Sequence, residues 1–181
     1  MDKILLLTFC LSLVKGDVYD EFYEFPNSVW YDSTPADHFP TWSKEHHSGY
    51  PLPPPDDSTL IQVVRGNSTD ETLPAYLQSV PFALDGENQM RIRYWLRSAN
   101  AGGSKLRIQI RGPDGYRTTV KTILSNSAYY NNFVEETIII PTKTDGGYSI
   151  IIQGEREATE EGGVAIGAIY LIGSNFVAPT K

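Results

Sequence analysis

Met90-Arg91-Ile92-Arg93-Tyr94-Trp95-Leu96-Arg97, then Lys105-Leu106-Arg107-Ile108-Gln109-Ile110-Arg111, then the turn Gly112-Pro113-Asp114-Gly115 decide the fold class of this 181-residue chain. In the first run Met90, Ile92, Tyr94 and Leu96 alternate with Arg91, Arg93, Trp95 and Arg97. In the second, Leu106, Ile108 and Ile110 alternate with Lys105, Arg107, Gln109 and Arg111. A period of two sends alternate side chains to opposite faces, so both runs read as half-buried strands with one polar face. Gly-Pro-Asp-Gly supplies the turn chemistry that follows. Working outward, Thr59–Val64 reads as a short strand upstream, and Phe133–Ile140, Tyr148–Gln153 and Val164–Ile172 as three strands downstream. Asp145-Gly146-Gly147 and Glu161-Gly162-Gly163 read as breakers between them. No segment carries a helical run of i, i+3, i+4, i+7 apolar spacing. Short strands with turn chemistry between them predict an all-β fold, an antiparallel jelly roll or β-sandwich.

The N-terminus predicts export. Met1-Asp2-Lys3 precedes an apolar run from Ile4 to Val14, and Val14-Lys15-Gly16 places small or β-branched residues where signal peptidase cuts. The run is too short to span a bilayer. The expected organisation is a leader at 1–16, an acidic lead-in at 17–24, a β-sandwich domain at 25–173 and a tail at 174–181. Cys10, the only cysteine, lies in the leader, so the secreted product would be free of disulfides and its core must hold alone. Cleavage removes Lys3, Lys15 and Asp2, leaving 13 basic against 21 acidic residues, net −8. That balance argues against nucleic acid as a partner, and the absence of a later long apolar run argues against stable membrane insertion. Asn67-Ser68-Thr69 is the sole Asn-x-Ser/Thr site, so Asn67 is the expected glycosylation position. Between Asp17 and Asp57 the chain is rich in aromatics, prolines and acids. Pro51-Leu52-Pro53-Pro54-Pro55 reads as a stiff connector.

Motif order then brings a family into view. Phe25-Pro26-Asn27, Asp37-His38-Phe39-Pro40-Thr41-Trp42, Asp56-Asp57-Ser58-Thr59 and Leu77-Gln78-Ser79 resemble successive segments of MAM domains. Met90–Leu96 and Leu106–Arg111 look like the family's aromatic-rich strand and its hairpin partner. Tyr148–Glu155 and Gly163–Leu171 are similar to its closing segments. The resemblance implies an extracellular jelly roll that acts in adhesion and oligomerisation without catalysis. Two departures stand out: family members usually carry four cysteines, and their acidic pair in the last strand is Gly167-Ala168 here.

The residues themselves offer little chemistry for turnover. His38, His46 and His47 are the only histidines, and their spacing does not suit a helical zinc pair. No Gly-x-Ser-x-Gly elbow is present. Glu135 and Glu136 are consecutive, so on a strand they point to opposite faces and cannot act as a glycosidase pair. Glu155, Glu157, Glu160 and Glu161 read as a solvated loop, with calcium as the alternative occupant. No cofactor is expected, and no catalytic or metal-binding residue is assigned.

Charge supplies the candidate site. Eight of the 13 basic residues fall between Arg91 and Lys121, opposed there only by Asp114. If the two opening strands pair through Ser98–Ser104, then Arg91, Arg93, Trp95, Arg97, Lys105, Arg107 and Arg111 form one basic plate centred on an aromatic. Like charges directly opposite destabilise a bare hairpin, so an acidic partner surface, an anionic glycan, a second copy or carboxylates from neighbouring strands such as Glu135 or Glu136 should offset them. The sequence therefore predicts a secreted recognition and adhesion protein with an extracellular protein or glycan partner, or self-association. The alternative is a carbohydrate-binding module that grips anionic polysaccharide on the plate.

Overall fold

The structure, a computed structural model, describes residues 18–20, 29–36, 41–46, 60–65, 73–84, 86–126, 132–159 and 162–173. These hold twelve strands and no helix: β1 (Val18–Asp20), β2 (Trp30–Asp32), β3 (Thr41–His46), β4 (Leu60–Arg65), β5 (Ala75–Ser79), β6 (Phe82–Leu84), β7 (Asn88–Arg97), β8 (Lys105–Arg111), β9 (Arg117–Leu124), β10 (Val134–Ile140), β11 (Lys143–Glu155) and β12 (Gly163–Gly173). Sheet I runs β10-β7-β12-β4-β3, with β1 also on β12; sheet II runs β2-β5-β11-β8-β9, with β6 also on β11. Every pairing is antiparallel. The all-β sandwich expected from the alternation is the fold. Three residues of the acidic lead-in form β1, at the edge of sheet I. Leu77-Gln78-Ser79 lies in β5. Asn67, the leader and the Pro51–Pro55 connector lie outside the described residues.

The core forms where the inward faces meet. Met90, Ile92, Tyr94 and Leu96 of β7 and Ile166, Ile169 and Leu171 of β12 face Leu106, Ile108 and Ile110 of β8 and Ile150 and Ile152 of β11, all of them buried. Trp42 of β3 and Val64 of β4 reach across to sheet II, where Gly154 receives them. A Cβ on Gly154 would stand 2.6 Å from the Trp42 ring and 2.7 Å from a Val64 methyl. Only a residue without a side chain fits that contact.

The expected β7–β8 hairpin does not form. β7 pairs with β10 and β12 in sheet I, whereas β8 pairs with β11 and β9 in sheet II. Two amphipathic strands with complete apolar faces bury both by facing each other across the layers, and this also keeps their cations apart. The connection Ser98–Ser104 crosses between sheets. It is tied down by Ser104 Oγ donating to the Arg97 carbonyl at 2.6 Å and by Gly103 N–H donating to the Asn100 carbonyl at 3.0 Å. Asp145-Gly146-Gly147 does not break the chain either. It falls inside β11, where the register against β6 shifts between Lys143 and Tyr148.

Candidate functional site

The proposed basic plate is divided between the two outer faces of the sandwich. Arg91, Arg93, Trp95 and Arg97 alternate with the core residues of β7 and lie outside sheet I. There the cations are already engaged. Arg91 Nε lies 3.3 Å from Glu135 Oε1 and its guanidinium stacks 4.9 Å from the centre of Tyr170. Arg93 stacks 4.4 Å from the centre of Phe133. Trp95 offers no stacking surface: it is 1% exposed, packed with Ala165 and Phe133 in a small cluster of its own. Gly167 makes room for this arrangement, since a Cβ there would stand 3.3 Å from both Arg93 and Phe133. Arg97 is half-buried and also has partners. Of the two β10 carboxylates that the sequence named as a possible offset, only Glu135 supplies it. Glu135 meets Arg91 on the outer face, and Glu136 points the other way, to Lys121 Nζ at 2.7 Å and the Tyr94 hydroxyl at 3.4 Å. The Lys121–Glu136 pair joins β9 to β10 beside a cleft of about 710 Å³ at the open edge of the sandwich.

Lys105, Arg107 and Arg111 lie instead on the outer face of sheet II, and strand register aligns their neighbours in rows. One row crosses all five strands: Tyr31 opposes Gln78, Gln78 opposes Ile151, Ile151 opposes Gln109, and Gln109 opposes Thr119. A second row runs Tyr76, Gln153, Arg107, Thr122. On one side of these lies Ser149, Arg111, Arg117, and on the other Glu155, Lys105, Leu124. The order holds across β9 because a bulge between Ile108 and Gln109 absorbs Val120. The backbone of Tyr76 is fixed from the β2 side, donating to Thr34 Oγ1 at 2.8 Å and accepting from Ser33 N–H at 2.8 Å.

This face is cupped. The Arg117 guanidinium stacks 4.6 Å from the centre of the Tyr76 ring, although β8 and β11 lie between their strands. On a flat sheet three strand spacings and a four-residue offset would separate the two Cα atoms by about 19 Å, further than the side chains bridge. Arg117 therefore passes diagonally above Gln109 and Ile151. Ile151, an outward-pointing residue, is 0% exposed, and Gln78 and Gln153 are also buried. Gln109 Nε2 donates weakly to Thr119 Oγ1 at 3.4 Å, and its Oε1 is buried with no hydrogen-bond partner among the described residues. Such an orphan acceptor costs about 1–3 kcal/mol of desolvation. Tyr31 stays 46% exposed at the rim.

The cations at one end of the cup are ion-paired. Glu155 is the last residue of β11 and is buried, not part of a solvated loop as the sequence suggested. It binds Arg107, accepts from Gln153 Nε2 at 2.5 Å and meets Lys105 Nζ at 2.7 Å. With two cations and an amide already on its carboxylate, it acts as a strut between β8 and β11. Glu157 holds the crossing loop: it accepts from Ala99 N–H at 2.6 Å and Asn100 Nδ2 at 2.5 Å. Partial burial raises its pKa, but the hydrogen bonds from Asn100, Ala99 and Thr159 outweigh that and hold it below the ordinary glutamate value. Glu160 and Glu161 lie outside the described residues. Among the described residues no three of His, Cys, Asp and Glu converge as metal ligands.

No family model matches the chain, and no curated protein matches it in sequence. Solved structures do match it in shape. A cleaved adhesin domain of Lys-gingipain from Porphyromonas gingivalis has a TM-score of 0.61 at 10% identity, covering 86% of this chain and 96% of that one. The CBM22-1–GH10 modules of Clostridium thermocellum endo-1,4-β-D-xylanase 10B, complexed with xylohexaose, have a TM-score of 0.58 at 10% identity, covering 87% of this chain and 28% of that one. TmCBM61, complexed with β-1,4-galactotriose, has a TM-score of 0.53 at 12% identity, covering 80% of this chain and 88% of that one. At such identities the likeness is one of fold: this chain is similar to β-sandwiches found in adhesins and carbohydrate-binding modules.

Proposed function

We propose that this chain is a secreted, non-catalytic recognition domain that binds a glycan in the cupped outer face of sheet II. The observation that carries the reading is the row Tyr31, Gln78, Ile151, Gln109, Thr119, which places an exposed aromatic and two amides along one line of a cupped surface. Sugars present apolar C–H faces that stack on aromatic rings, and hydroxyls that both donate and accept. Amide side chains match the latter because each carries a donor and an acceptor. The Oε1 of Gln109, which has no hydrogen-bond partner among the described residues, is an acceptor for a ligand hydroxyl. The neighbours lend support by class: two were solved with oligosaccharides, and the third is an adhesin domain. The MAM-like motif order supports the same class, extracellular recognition without catalysis, and the Met1–Gly16 pattern supports export.

Titration calorimetry against a panel of plant, microbial and matrix oligosaccharides tests the reading. The folded chain should bind at least one, and Tyr31→Ala and Gln109→Ala should each weaken that binding about tenfold while leaving the melting temperature near wild type. Binding that survives both substitutions would place the site elsewhere.

A further inference from the structure

The charges of the cupped face are sorted along its strands. At the Glu155 end Lys105 and Arg107 share one carboxylate. At the other end Arg111 and Arg117 stand directly opposite each other on β8 and β9, and neither has a carboxylate partner among the described residues. The nearest acid in sequence, Asp114, accepts from the Tyr116 N–H on its Oδ1 at 3.0 Å within the turn and pairs with neither arginine. Arg117 sits over the Tyr76 ring, and none of its N–H donors is in a hydrogen bond among the described residues. Like charges directly opposite on a ladder are unfavourable in the empty protein. An arginine edge presents a fork of donors that matches oxyanions bidentately.

We infer that Arg111 and Arg117 read an acidic substituent, a carboxylate or sulfate ester, on the glycan bound in this cup. The inference rests on the glycan-binding reading above and adds its specificity. The sugar backbone lies along the row of Tyr31 and the amides, and its oxyanion takes the place of the missing counter-charge between β8 and β9. This is narrower than a basic plate: the arginines of sheet I and the Lys105–Arg107 pair take no part, because each already has its partner.

The test uses the full chain and matched ligands that differ only in charge. Oligogalacturonate is compared with its methyl ester, and dextran sulfate with dextran, which separates the carboxylate from the sulfate. The expected result is tighter binding of one acidic form than of its neutral counterpart. Arg111→Gln and Arg117→Gln should each erase about tenfold of that preference; Arg111→Gln, which lies clear of the row, should leave affinity for the neutral form unchanged, and Arg→Lys should restore only part because the fork is lost. Tyr31→Ala should weaken both forms alike. Equal affinity for acidic and neutral forms, or arginine variants that weaken both equally, overturns the inference while leaving glycan binding intact. If no ligand in a wider glycan panel binds, both readings fall. Tyr76→Leu removes the ring that holds Arg117 without touching a charge, and it should lower the acidic preference as well. An unchanged preference in that variant also counts against the inference.

Discussion

Gly154→Ala is the sharpest test of how the two sheets meet. The added methyl would lie 2.6 Å from Trp42 Cζ2 and 2.7 Å from Val64 Cγ2, against a normal carbon–carbon contact of about 3.5–4.0 Å. Neither neighbour yields easily: Trp42 and Val64 are buried, and a fused ring has no internal torsion to turn. Alanine gains about 0.5–1 kcal/mol over glycine in a strand, whereas forcing a methylene into a packed core costs about 1–3 kcal/mol. The net expectation is a loss of about 1–2 kcal/mol, or a fall of about 3–6 °C in melting temperature for a domain of this size. Urea unfolding followed by tryptophan fluorescence should show a lower midpoint with an unchanged slope. Adding Trp42→Phe removes the outer atoms of the indole, so the double variant should lose less than the sum of the two singles. A Gly154→Ala variant as stable as wild type, or strictly additive losses, would refute the packing of Trp42 on Gly154.

Three further outcomes follow from the described contacts. Glu155→Gln leaves Lys105 and Arg107 side by side without their shared carboxylate and should destabilise the fold by about 1–3 kcal/mol after allowance for the partners' partial exposure; a denaturation midpoint equal to wild type would show that the strut is inert. Glu157 has a folded pKa below its unfolded value, so its contribution is present in full at neutral pH and is lost as pH falls through the unfolded value towards the folded one. Glu157→Gln should therefore be less stable than wild type at pH 7, and the difference should shrink towards pH 3; a constant difference would contradict the assignment. With Cys10 as the only cysteine, no intrachain disulfide can form, and the melting temperature should be the same with and without a reducing agent.

The strands with recurring apolar residues were legible. β7, β8 and β10 were placed to within a residue or two because large apolar side chains recur on one face of each, and β12 because its apolar run is long, although a bulge after Ile166 shifts its parity. β9 was not, since Arg117–Leu124 turns only Ile123 fully inward and the bulge at Val120 reverses its alternation midway. β2, β3, β5 and β6 are short or interrupted and gain their identity from partners remote in the chain. The candidate site suffered from the same limit. Lys105, Arg107 and Arg111 share the cup as their parity required, but parity alone does not say which strand lies alongside. The seven-residue connection Ser98–Ser104, longer than most hairpin loops of about two to five residues, was the one local sign that β7 and β8 do not pair. Thr119 meets Gln109 across the hairpin that the Gly112–Gly115 turn closes, but Tyr31 and Gln78 join that row only through registers between strands far apart in sequence, which no local pattern encodes.

The most direct test of glycan recognition by sheet II is residue-resolved. Amide chemical shifts of the isotope-labelled chain, followed during titration with the best oligosaccharide of the panel, report where it binds. The expected changes centre on Tyr31, Gln78, Ile151, Gln109 and Thr119, with none at Arg91, Arg93 or Tyr170. Changes confined to the outer face of sheet I, or to the cleft beside Lys121 and Glu136, would contradict it.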